Sequence, residues 1–280
     1  MKAGRIEYSG RDKKVLRIIS EEYHFLGYSY LRKILRNSDI KLNGKRIKTD
    51  EEAKNGDIIE FYYSEKPTEK FLPKIIYDDE KIAVFYKPKR IASQGENSFE
   101  SKVKSAYGEE YILCHRLDTN TDGLLIFAKS DETFEEIKKL FLSHSIEKHY
   151  FALVCGRLSG SGIFHDYIVK KPDEARVYVY SDKKCGGKEA VLKYNAIENK
   201  GENTLLDVVL VTGRTHQIRA QLSYRGYPII GDGKYGNEAV NRKFGAKTQE
   251  LTAYKLVFNV QSGSLKYLDK KEIMLDLAKI

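Results

Sequence analysis

His115-Arg116-Leu117-Asp118-Thr119-Asn120-Thr121-Asp122-Gly123 runs directly into Leu124-Leu125-Ile126-Phe127-Ala128-Lys129. The first part is crowded with polar, turn-forming residues; the second reads as a short apolar strand. Loops held by a rigid scaffold are where catalytic groups are usually placed. Asp118 offers a carboxylate, and Arg116 offers a cation that can clamp a phosphate bidentately. The same residues also suit a turn stabilised by Asx and Thr caps. Local physics leaves both readings open.

Outward from this stretch, Ser130 to Ser143 has the spacing of an amphipathic helix, with Phe134, Ile137, Leu140 and Phe141 inward. Tyr150 to Cys155, Val177 to Tyr180, Ala190 to Ile197 and Leu205 to Val211 read as strands, and Thr215 to Tyr224 as a helix. Upstream, Ile75 to Tyr77 and Ile82 to Tyr86 form a hairpin around Asp78-Asp79-Glu80. The order is strand-rich and lacks regular βαβ alternation. It predicts an α+β domain, residues 75–280, on a largely antiparallel mixed sheet.

The beginning of the chain has a different character. Val15, Leu16, Ile18 and Ile19 mark one side of a short helix. Ser29 is placed to cap a second helix carrying Leu31, Ile34 and Leu35 beside Arg32, Lys33 and Arg36. Ile40 to Ile47 reads as a hairpin, because Asn43-Gly44 tolerates the positive φ that both turn positions need. Lys45 and Arg46 lie on that hairpin. A second turn, Asn55-Gly56-Asp57, leads into a strand from Ile58 to Tyr62. Residues 1–62 thus form a small α+β platform for phosphates. Residues 63–74, with two of the five prolines, read as a linker.

The charge supports a nucleic-acid partner. The net charge is +9, and residues 5–48 alone hold twelve lysines and arginines against five acidic residues. That asymmetry fits an anionic polymer, although a solvated surface has the same composition. Hydrophobic residues at 41% and charged residues at 32% of 280 describe an ordinary globular chain. No run approaches a membrane span, and Met1 to Asp12 lacks the apolar region of a signal peptide. The cytoplasm is the expected compartment. Three cysteines, Cys114, Cys155 and Cys185, form no metal-ligand spacing and read as free thiols. A P-loop, a dinucleotide loop, a nucleophile elbow and a zinc-protease helix are all absent from the sequence.

Two further clusters carry chemistry. Gly213-Arg214-Thr215-His216-Gln217-Ile218-Arg219 places two arginines at a helix start, suited to a phosphate or to a buried carboxylate. Lys148-His149-Tyr150-Phe151-Ala152-Leu153 opens a strand with an aromatic side chain that serves either the core or base stacking. These residues by themselves indicate an RNA- or DNA-binding protein with a carboxylate site, and no reaction.

Taken together, the clusters resemble the RluA-type family of pseudouridine synthases. The family's His-Arg-Leu-Asp and Thr-x-Gly-Leu-Leu signature matches His115 to Asp118 and Thr121 to Leu125, with Asp122 where Ser is usual. Lys-x-Tyr-x-Ala-Leu-Val matches Lys148 to Val154, and Gly-Lys-x-Ala matches Gly187 to Ala190, with Leu192 where Thr is frequent. Gly-Arg-Thr-His-Gln-Ile-Arg matches Gly213 to Arg219 and is followed by Gly226-Tyr227-Pro228-Ile229-Ile230-Gly231-Asp232. Lys87-Pro88 matches the family's opening, but Lys89-Arg90 replaces its small residues. The match spans residues 75–260. The leading region resembles the S-four-type (alpha-L) RNA-binding domain often fused to this family.

The resemblance implies isomerisation of uridine in structured RNA, without metal or organic cofactor. Ribosomal RNA of the large subunit is the family's commonest target. A synthase for transfer RNA and a catalytically idle RNA-binding assembly factor are the alternatives, and a monomer is the favoured state. Asp118 is implied as the nucleophile. Its route is attack at C1′, attack at C6, or proton abstraction through a glycal. Tyr150 is implied to stack on the flipped base and assist at C5. Arg219, with Arg214 second, is implied to partner Asp118, since an adjacent cation favours the charged form. Arg116 is implied to brace the vacated stack. His115, Arg116, Arg214, Arg32, Lys33, Arg36, Lys45 and Arg46 are the expected RNA contacts.

Overall fold

The computed structural model describes residues 2–23, 26, 28–63, 71–183 and 186–276, without the side chains of Tyr28 and Ser29. Most of the expected linker, residues 64–70, and Cys185 lie outside the described residues. The chain divides into two compact units, Met1–Lys70 and Phe71–Ile280.

In the first unit, Val15–Glu22 and Tyr28–Arg36 are helices. Leu16, Ile19, Leu31, Ile34 and Leu35 bury against Ile40, Ile59 and Phe61 of a four-stranded antiparallel sheet. The 3.6-residue spacing of the helices and the alternation of Ile58–Tyr63 therefore face one core. Asn43 and Gly44 take φ of 49° and 78°, as the hairpin requires. Ser29 lies inside the second helix, one residue past its start at Tyr28, and is not its cap. Helix ends commonly shift by a residue in this way. Lys2–Glu7 adds an edge strand against Ile58–Tyr63. Its polar sequence carries too little alternation to announce it. Arg32, Lys33, Arg36, Lys45 and Arg46 are all exposed.

The second unit is built on an eleven-stranded sheet. One of its inner strands is Asp122–Ala128, buried along its whole length. Leu125 and Phe127 face a cluster with Phe99, Tyr150 and Leu222. Leu124 and Ile126 face the other, with Ile137, Leu256 and Phe258. A strand covered on both faces reads as an unbroken apolar run, as this one does. Helix Asp131–Leu142 packs on the second face through Ile137, with Leu140 and Phe141 partly buried there; Thr133 is buried where Phe134 was expected.

The pairings are antiparallel except between Asp122–Ala128 and Leu251–Phe258, which run parallel among the described residues. The sequence reading assigned no element to Leu251–Phe258, to Ser161–Lys170 or to the helix Phe99–Tyr107. The parallel contact is unusually close. A Cβ on Gly123, whose φ is +127°, would lie 2.2 Å from the carbonyl oxygen of Ala253. Gly123→Ala therefore combines overpacking with backbone strain, together about 3–5 kcal/mol. The variant is expected to lose that much in urea denaturation. A loss below about 1 kcal/mol would show that the two strands part easily.

Candidate active site

Asp118 sits in the loop between the short strand Ile112–Leu113 and Asp122–Ala128. Neighbouring segments hold this loop at almost every step. Ser93 Oγ donates to the Leu117 carbonyl at 2.8 Å and accepts from Leu117 N–H at 3.0 Å. Thr121 N–H closes a turn onto the Asp118 carbonyl. Gln249 Nε2 donates to Thr121 Oγ1. Lys87, fully buried, donates from Nζ to the carbonyls of Pro88, Ile91 and Thr119. Burial pushes the Lys87 ammonium down to about 8, against the opposing pull of Asp122 and Asp118. Asp122 accepts from Tyr86 Oη and Thr252 Oγ1, so the residue that departs from the usual Ser is tied to both flanking strands.

Arg219 reaches the same place from the helix Gln217–Tyr224. His216 takes φ of 53° just before that helix and turns the chain into it. Arg219 Nη1 donates to Asp118 Oδ2 at 2.7 Å. Its Nε and Nη2 donate to the two oxygens of Asp232 at 2.7 and 2.9 Å. The Asp232 side chain has 0% exposure and the Asp118 side chain 28%. Burial works to raise the Asp232 pKa. The Arg219 guanidinium and the N–H groups of Tyr235 and Lys234 outweigh it and hold the carboxyl below its ordinary value. One arginine thus anchors to a buried carboxylate with its fork and presents its remaining nitrogen to Asp118.

Asp118 opens into a cavity of about 70 Å³ lined by Arg116, Tyr150, Arg214 and His216. A larger cavity of about 480 Å³ shares Arg116, Asp118, His216 and Arg219 with it and extends to Gln94, Asn120 and Lys234. Tyr150 is 5% exposed. Burial first, and the Asp118 charge second, push its pKa up, so the phenol is protonated at neutral pH. The pairing of its strand, Ile146–Cys155, with Leu251–Phe258 shifts register between His149 and Tyr150. Such an irregularity re-aims a side chain.

Asp118, Arg116, Tyr150, Arg214 and Arg219, singled out in sequence, therefore line one cavity. Arg219 is the arginine on Asp118; Arg214 instead donates from Nε to the Glu189 carbonyl. His115, expected to contact RNA, turns its ring inward. Nε2 accepts from Ile126 N–H, and burial followed by the Lys148 charge pushes the ring's pKa down to about 3. The ring thereby satisfies Ile126 N–H, which would otherwise lack a partner. Arg32, Lys33, Arg36, Lys45 and Arg46 belong to the other unit. Asp232, Ser93, Lys87, His216 and Gln249 were not chosen as site residues. Asp232 had a signal, the acidic residue ending Gly226–Asp232; Ser93 and Gln249 had none.

Removing the shared cation leaves Asp232 buried without its counter-charge. Arg219→Met is expected to lose about 3–5 kcal/mol at pH 7 in urea denaturation. The wild-type stability contributed by Asp232 is present above the unfolded Asp value of about 3.9 and is lost as pH falls through its lower folded value. The deficit of the variant should therefore shrink as pH falls and the carboxyl takes up a proton. A deficit unchanged down to pH 3 would show that it comes from packing.

Comparison with known proteins places this geometry. The RNA pseudouridylate synthase family matches residues 81–224. "Ribosomal large subunit pseudouridine synthase C" of Vibrio parahaemolyticus is 29% identical over 244 residues, 80% of this chain and 75% of that protein. "tRNA pseudouridine(32) synthase, mitochondrial" of Saccharomyces cerevisiae is 28% identical over 239 residues, 82% of this chain and 52% of that one. Among solved structures, human RNA pseudouridylate synthase domain containing 1 superposes with a TM-score of 0.60 at 19% identity, covering 76% of this chain and 95% of its own. That likeness shows the fold. The family match extends over half of the chain and includes the Asp118 loop and Arg219, and the chain belongs to the RNA pseudouridylate synthase family.

Proposed function

We propose that this RNA pseudouridine synthase modifies large-subunit ribosomal RNA, with Asp118 as its nucleophile and the small N-terminal unit as an S-four-type RNA-binding domain. The observation that carries the catalytic assignment is the 2.7 Å contact between Asp118 Oδ2 and Arg219 Nη1, at a cavity that Tyr150 also lines. In the reaction the N1–C1′ bond breaks, a C5–C1′ bond forms, C5 loses a proton and N1 gains one. The base must leave the stack and stay enclosed while it turns. Asp118 is the carboxylate that meets the ring or the ribose in each of the three routes. Arg219 positions it and balances its charge. Tyr150 supplies an aromatic face for the base. Because the phenol rests protonated, it can accept the C5 proton only by passing its own onward. Arg116, exposed at the rim of both cavities, contacts phosphate and fills the vacated stack.

The ribosomal target is supported by the bacterial relatives named as large-subunit synthases and by a separate basic unit suited to large structured RNA. The yeast relative named for transfer RNA favours a second reading. Mapping pseudouridines in total RNA with and without this gene separates them. Among the described residues no helix is long and apolar enough to cross a membrane, and the proposed compartment is the cytoplasm.

Asp118→Asn keeps the shape and removes the nucleophile. Pseudouridine formation in single-turnover assays on cellular RNA should disappear, with RNA binding within a few-fold of wild type. Substantial residual turnover would rule out the assignment.

Deleting residues 1–66 removes the concentrated positive charge and no residue of the Asp118 cavity. Each lost phosphate contact reduces the slope of log affinity against log salt by roughly 0.7–0.9. The truncated protein should bind RNA more weakly with a shallower slope, and saturating RNA should restore much of its rate. An unchanged slope, or a folded truncation inactive at saturation, would show that the unit is not a separable binding module.

A further inference from the structure

A cavity of about 500 Å³ lies between the helix Asp131–Leu142 and residues 210–214, and it shares Leu210 and Arg214 with the cavity at Asp118. Its polar lining is rich in donors. Lys148 Nζ stands 4.7 Å from the centre of the Phe141 ring and has no hydrogen bond or ion pair among the described residues. Burial pushes its ammonium down to about 8. Arg214 commits only its Nε, to the Glu189 carbonyl, and its terminal nitrogens remain available among the described residues.

His115 supplies a further donor. Its Nε2 accepts from Ile126 N–H, which puts the proton of the neutral ring on Nδ1. Nδ1 is buried without a hydrogen-bond partner, and the ring meets Phe141 edge-on at 5.1 Å. The one carboxylate in the lining, Glu189, is engaged by His165 Nε2 at 2.9 Å. Lys138 is paired with Glu135, and His144 and Cys114, whose thiol burial pushes up to about 12, complete the titratable groups of the wall. A desolvated ammonium with no counter-charge is costly unless something anionic meets it.

We propose that this cavity is a second nucleotide subsite, in which Lys148 and Arg214 bind a phosphate of the RNA strand next to the target uridine. The proposal rests on the reading of Asp118 as the reaction centre. Leu210 and Arg214 line both cavities, so a strand whose uridine reaches Asp118 can present its neighbouring phosphate here. Phe141 gives the adjoining ribose or base an apolar wall.

The test is a salt series of binding constants for the full-length protein with a nonamer of uridylate, for wild type, Lys148→Met and Lys148→Arg. Met keeps the length of the side chain and needs no counter-charge, so the fold is expected to stand. Lys148→Met should bind about tenfold more weakly at low salt, with a slope shallower by roughly 0.7. Lys148→Arg should recover most of both. Equal affinity and slope in wild type and Lys148→Met would overturn the subsite. Weaker binding at an unchanged slope would show an uncharged group in the cavity and overturn the phosphate assignment. If Lys148→Met does not fold, acetylation of Lys148 in the wild-type protein, followed by mass spectrometry, replaces it. Saturating nonamer should slow that acetylation more than fivefold, and no slowing overturns the proposal. A protein that meets these expectations yet converts no uridine in cellular RNA would contradict the proposed function and leave the subsite standing.

Discussion

The Arg219 guanidinium, divided between Asp232 and Asp118, is the constraint on which the site depends. Asp232 is inaccessible to solvent, and a carboxylate there needs a full counter-charge and satisfied oxygens. The fork of Arg219 and two backbone N–H groups provide both. That arrangement leaves one guanidinium nitrogen with a fixed direction, and Asp118, 101 residues away in sequence, meets it. A lysine offers no such fork and would hold either carboxylate without orienting the other. The geometry of Asp118, the proposed nucleophile, therefore follows from a structural ion pair deeper in the fold.

The rest of the scaffold keeps Asp118 where that nitrogen points. Lys87 uses its three donors on carbonyls of the surrounding loops, and Ser93 exchanges two hydrogen bonds with Leu117. Gly123 lets Asp122–Ala128 approach Leu251–Phe258, and Gln249, just before that strand, takes hold of Thr121. Three distant segments thus converge on a loop of a few residues. A carboxylate with the proposed role in rearranging a mobile base needs such fixation, since small misplacements lose large factors of rate.

The electrostatics divide along the same lines. His115 is neutral beneath the loop, Tyr150 is protonated beside Asp118, and burial pushes the Lys87 ammonium down to about 8. Exposed positive charge lies on the rim, at Arg116 and Arg214. The floor of the cavity is tuned by desolvation and its mouth by charge.

Much of this was legible in the sequence because it is local. The apolar run after Gly123 marks a strand buried on both faces, Asn43-Gly44 marks a hairpin, and the spacing of Leu16, Ile19, Leu31 and Leu35 marks two amphipathic helices. The ordered motifs around Asp118, Tyr150 and Arg219 carried the family, and with it the reaction. The tertiary structure alone decided which arginine meets Asp118, that Asp232 anchors it, that His115 accepts from Ile126 N–H, and that Lys148 lies in a cavity with no hydrogen bond or ion pair among the described residues. It alone placed Leu251–Phe258 parallel to Asp122–Ala128. Each of these is a pairing across tens of residues, set by how the sheet closes and by which charges must be neutralised once water is excluded. Periodicity and turn chemistry describe a residue's neighbours along the chain, and they contain no term for the partner that burial brings to it.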